Sequence, residues 1–118
     1  MNKLELEEHL SKSKASESGY PFGSYALVFK VVNKMFAIVS QKEKPARVTL
    51  KCRPVDAEVL VAQYKSIIPG YYMNKKHWIT ISLTDEPPNH MLIDLPNKSY
   101  KLVVSKLTKR EKEQLQQQ

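Results

Sequence analysis

The chain is short of cysteine, glycine and tryptophan: Cys52 and Trp78 are single, and there are three glycines. A lone cysteine excludes an intrachain disulfide, and no Cys/His set has structural-zinc spacing. Neither staple is needed, because a chain of 118 residues can bury a core of its own. No apolar run approaches the roughly 18 residues of a membrane span. The opening MNKLELEEHL is charged and amphipathic, unlike a signal peptide, so a cytoplasmic location is expected. Catalytic groupings are also missing. His9, His77 and His90 stand in three unrelated contexts, and Asp85-Glu86 reads as an ordinary acidic turn. Cys52 paired with His77 is the one nucleophile arrangement that can be drawn. Cys52, however, continues the apolar side of its strand, where an inert buried thiol is expected. The expectation is no enzyme, no cofactor and no metal.

Acid is the other shortage. Nineteen Lys and Arg face twelve Asp and Glu, a formal charge of +7. A basic surface favours polyanions such as nucleic acid. The surplus is mostly lysine, which grips phosphate as a point charge, whereas arginine is the better reader of base edges. DNA binding inferred from this charge is therefore weakly sequence-specific.

What is present alternates between helical and strand periods. Asn2 with Glu5 forms a capping-box pattern that opens a helix over about residues 2 to 14, with Leu4, Leu6 and Leu10 as a thin stripe. Residues 16–24 read as a loop in which Tyr20 and Phe22 are buried anchors. ALVFKVV and MFAIVS read as a hairpin turning at Asn33-Lys34. That register puts Leu27, Phe29, Val31, Phe36 and Ile38 on the core face. Val28, Lys30, Val32, Met35, Ala37 and Val39 then form a half-apolar second face. RVTLKC alternates as a strand. Pro54 opens a second helix with Ala57, Leu60, Val61 and Tyr64 inward, and Ile67 to Gly70 ends it. HWITISL is a strand with Ile79 and Ile81 toward the core and Trp78 and Thr80 opposite. Pro96 can start a last helix striped by Tyr100, Val103, Val104 and Leu107. Thr108 with Glu111 opens a charged end, and residues 112–118 read as a frayed tail. Helices separated by meandering strands predict an α+β fold in a single domain over 1–118: two layers, an antiparallel sheet with helices mainly on one face.

PFG at Pro21 to Gly23, LVFKV at Leu27 to Val31, KMFA at Lys34 to Ala37, LKC at Leu50 to Cys52, PGYYMNKKHW at Pro69 to Trp78 and SYKLVVSKL at Ser99 to Leu107 together resemble the MmcQ/YjbR family of small bacterial proteins. The resemblance spans nearly the whole chain, and Met73-Asn74-Lys75 with His77-Trp78 is its most specific part. It implies a CyaY-like, secretion-chaperone-like domain that binds DNA through a double wing of hairpins, with no enzymatic activity and no cofactor. The chain departs from the family pattern between Leu83 and Ser99, where Pro87, Pro88 and Pro96 stand in place of a more continuous helix.

The candidate site follows from YYMNKKHW. Lys75 and Lys76 are expected to neutralise phosphates, Asn74 to bond a phosphate or base edge, and Trp78 or Tyr72 to stack on an unpaired base. His77 lies between them. Lys30, Arg47 and Lys51 are expected on the same sheet face, with Lys34 at a hairpin tip and Lys42 and Lys44 on a second turn. Each residue also has a plain structural use: a tryptophan closing a core, solvated lysines, an asparagine holding its own turn. The competing expectation is a protein-interaction module whose half-apolar sheet face is covered by a second copy or a protein partner.

Overall fold

A computed structural model describes residues 1–118 other than Tyr72 and Asp85, so the expectations placed on those two lie outside the described residues. Four helices and six strands follow in the order α1 (Lys3–Ser11), β1 (Ser16–Gly19), β2 (Ala26–Val31), β3 (Lys34–Ser40), β4 (Arg47–Lys51), α2 (Pro54–Gln63), β5 (Ile67–Pro69), β6 (Trp78–Ser82), α3 (Met91–Ser105) and α4 (Lys109–Gln116). The strands form one antiparallel sheet in the order β1-β2-β3-β4-β6-β5. The helices bury Leu6, Leu10, Ala57, Leu92, Val103 and Leu115 with the strand residues Phe29, Val31, Phe36, Val39, Val48, Leu50, Ile79 and Ile81 in one hydrophobic cluster. The fold is α+β, as the alternation of periods predicts. No helix among the described residues is long and apolar enough to cross a membrane.

Both capping boxes form. Asn2 accepts from the Glu5 amide while Glu5 accepts from the Asn2 amide, and Thr108 and Glu111 do the same at α4. Residues 112–118, expected to fray, instead continue α4 as far as Gln116, because Leu115 is buried against the core. Two strands are missed by the sequence reading. β1 is SESG and β5 is the three residues IIP, both at sheet edges. Polar, glycine- or proline-bearing edge strands pair on one side only and bury little, so they carry no apolar alternation. α3 begins at Met91 rather than at Pro96, which lies buried inside it.

The hairpin register differs from the expected one. The turn falls at Val32-Asn33, both at positive φ (46° and 64°), so Val31 pairs with Lys34. This is the primed geometry that matches strand twist. A bulge then shifts the ladder: Lys30 pairs with Met35 but Phe29 with Ala37, and Phe36 is the extra residue. Ala37 and Val39 therefore join Phe36 on the core face, and Ile38 moves to the second face beside Val28.

That second face is not left open. Ala26, Val28 and Ile38 form a small cluster of their own with Met35 and Met73 against it. Beside it Thr49 and Thr80 are buried cross-strand neighbours whose hydroxyls are 2.8 Å apart, and the Tyr71 amide donates to Thr80 Oγ1 at 3.0 Å. The segment between β5 and β6 is thus laid back over the sheet and tied to it. Thr80→Val keeps the shape and removes the hydroxyl that serves both groups. It should cost about 1–3 kcal/mol in a denaturant titration, whereas Thr84→Val, on the exposed turn, should be near neutral.

Candidate nucleic-acid interface

Antiparallel pairing gathers particular strand ends at one end of the sheet. The β2–β3 turn, the end of β4 and the start of β6 meet there, since Val31 pairs with Lys34 and Lys51 with Trp78. The C-terminal end of α3 lies against the same end. Between these parts runs a groove of about 770 Å³ lined by Phe22, Lys30, Lys34, Met35, Lys51, Met73, His77, Trp78 and Lys106 among others. Its charged lining residues, Lys30, Lys34, Lys51 and Lys106, are all lysines. Lys34 reaches Glu111 at 4.0 Å, an exposed pair of the kind that holds a cation weakly.

Trp78 does not provide the stacking surface expected of it. It is 4% exposed. Its carbonyl accepts from the Gly70 amide at 2.8 Å, and a Cβ on Gly70 would sit 2.7 Å from the Trp78 Cβ, so the chain leaving β5 passes it with no room to spare. The Lys51 ammonium lies 5.1 Å from the indole centroid. The ring closes one end of the second face and seats a lysine there. Phe22, expected as a buried anchor, is half exposed and lines the groove; Tyr20 is equally exposed. The reason is that Val28 and Ile38 are covered by methionines, which leaves these loop rings outside.

The other candidates divide. Lys75 and Lys76 are exposed and border a separate hollow against α2, beside Pro54, Ala57 and Pro69. Asn74 holds their turn, its Oδ1 accepting from the Lys76 amide at 2.8 Å. His77 is exposed, and its carbonyl accepts from the Cys52 amide at 2.8 Å. Arg47 shares the face with Lys51 but stands four residues away on β4, roughly 13 Å at the usual strand rise. It is bonded to Glu43 at 3.2 Å and lies 5.0 Å from the Tyr71 ring centroid. Five of the predicted residues (Lys30, Lys34, Lys51, His77 and Trp78) therefore line one groove. Lys75 and Lys76 lie outside it, on the hollow against α2, and Arg47 is elsewhere. Lys106 was missed. It sits between the inward-facing Val103 and Leu107, and only tertiary packing brings that helix end to the hairpin.

Cys52 is half-buried, and burial, followed by the charge of Asp56, pushes its thiol above the ordinary range. Among the described residues no three His, Cys, Asp or Glu converge as metal ligands.

A family model described as YjbR matches residues 10–102. The chain is 38% identical over 96 residues to the uncharacterized protein YbdF of Escherichia coli O157:H7, covering 81% of this chain and 79% of that one. It is 33% identical over 92 residues to the uncharacterized protein YjbR of Escherichia coli K12, covering 78% of each. Among solved structures, a Deinococcus radiodurans protein of the domain family DUF419 superposes with a TM-score of 0.89 at 36% identity, over 97% of this chain and 87% of that one.

Proposed function

Starting from a chain that belongs to the YjbR family, we propose that it is a non-enzymatic protein that binds DNA with little sequence preference, through lysine–phosphate contacts in the groove at the hairpin end of the sheet. One observation carries this reading: every charged side chain lining that groove is a lysine. Of the four ammonium groups only Lys34 reaches a carboxylate, that of Glu111 outside the lining; the groups repel one another in the free protein and are relieved by a polyanion. Lysines make such a groove sensitive to the phosphate backbone and indifferent to base identity. Phe22 at its wall is the ring available to an unstacked base. A partner for the second sheet face is a weaker reading, since Val28 and Ile38 are already covered by the chain's own Met35 and Met73.

The test is a salt titration of binding to duplex and to single-stranded DNA. Four phosphate contacts give a slope of log K against log salt of about −3 to −4 on duplex. No binding at low salt, or a slope near zero, would overturn the proposal.

A further inference from the structure

α2 lies over β5 and β6, while α3 lies over β3 and β4. Between the two helices the floor is the cross-strand pair Leu50 and Ile79, and a cleft of about 510 Å³ opens above it. Its walls are apolar: Val59 and Leu60 from α2, Leu95 and Leu102 from α3. Val59 stands 59% exposed at the mouth. Lys98 and Lys101 stand on the α3 rim. On the α2 rim, Arg53 and Asp56 are bonded to each other at 2.9 Å and so offset one another. Lys51 lines the cleft as well, with its ammonium at the Trp78 ring. Among the described residues Lys51, Lys98 and Lys101 enter no ion pair, which leaves the cleft with three uncompensated positive charges, two of them on the α3 rim.

We propose that this cleft is a binding site for a small amphipathic anion, whose tail lies along Leu60, Leu95 and Leu102 and whose head meets Lys98 and Lys101. The cleft's volume is that of a small-molecule site, and apolar walls with a few convergent charges are the usual composition of one. The charges choose among ligands. A neutral tail of the same length would cover the lysine stems without pairing the ammonium groups, and a cationic head would be repelled. The site shares Lys51 with the lysine groove but no other lining residue, and it does not depend on the DNA-binding reading.

Decanoate is the probe, titrated below its micelle threshold and compared with decanol and decylamine. Calorimetry follows affinity, and methyl NMR locates the ligand. Decanoate should saturate a single site and shift the methyl signals of Val59, Leu60, Leu95 and Leu102. Decanol should bind at least about tenfold more weakly and decylamine more weakly still. Lys98→Gln with Lys101→Gln, both exposed, should weaken decanoate about tenfold and leave decanol unchanged. Val59→Trp, at the exposed mouth, should abolish binding. Cys52 supplies an independent readout, since it is a lining residue of the cleft: decanoate should slow its alkylation by iodoacetamide. Equal affinity for the three probes, shifts elsewhere on the protein, no saturation, or decanoate binding untouched by both variants would each overturn the site.

Discussion

Replacing Lys30, Lys51 and Lys106 together by glutamine is expected to lower duplex-DNA affinity on the order of a hundredfold at about 0.1 M salt, and to make the salt slope less steep by about 3. Each lost phosphate contact removes close to one released counterion, so the slope counts contacts independently of the affinity itself. Glutamine keeps much of the stem and the hydrogen-bonding capacity, and it removes only charge. The three positions come from β2, β4 and the C-cap of α3, and they meet only in the folded protein. Lys51→Gln also removes the ammonium beside the Trp78 ring, at a cost of about 0.5–1 kcal/mol that a melting curve will register without loss of fold. Lys75→Gln with Lys76→Gln is the matched comparison. These two lie outside the groove, so the pair should flatten the slope by less than the triple variant does. An unchanged slope in the triple variant, or a larger effect from the Lys75 and Lys76 pair, would move the interface away from the groove. Phe22→Ala should weaken binding to single-stranded DNA while leaving the slope alone, since a ring releases no counterion.

Phe36→Ala is expected to cost about 3–5 kcal/mol, the largest loss of stability from any single truncation considered for this protein. Phe36 is the extra residue of the β2–β3 bulge and is fully buried. Its ring meets Tyr100 edge-on at 5.4 Å and Phe29 at 6.4 Å. Its carbonyl accepts from the buried Ser99 hydroxyl at 2.6 Å. One residue thus ties the hairpin to the middle of α3 by ring packing and by a backbone bond. Against the 5–15 kcal/mol or so that holds a domain together, the variant should sit close to unfolding at room temperature. Phe22→Ala changes the same residue type in the same way and should shift the melting point by little, because half of that ring is already in water. Similar losses for the two variants would mean that the burial assigned to Phe36 or the exposure assigned to Phe22 is wrong.

The elements that were legible share a physical trait: their pattern is local. The Asn2–Glu5 and Thr108–Glu111 boxes need only residues three apart, and both form as read. β4 and β6 alternate because one side of each faces the helices, and α2 starts at its proline. The misreadings arise where a distant contact decides. SESG and IIP are strands only because β2 and β6 offer them edges. Moving the turn by one residue to Val32-Asn33 and adding the bulge exchanged the faces of Ala37, Ile38 and Val39, because strand side chains alternate with period two. Pro96 could be expected to start a helix, yet the turn before it is formed by residues packed on the core through Leu92.

By itself the sequence determined the class of molecule: an α+β chain without disulfides, with an excess of lysine, and with the family signature around Asn74 to Trp78. These are matters of composition, period and short spacing. Only the tertiary structure decided how the lysines are grouped and which rings meet water. It turned Trp78 inward beneath Lys51 and left Phe22 at the surface, and it brought Lys106 from the end of α3 to the β2–β3 hairpin. The reason is geometric: charge is a property of each residue, but a field or a groove depends on distances between residues far apart in the chain, and folding alone sets those.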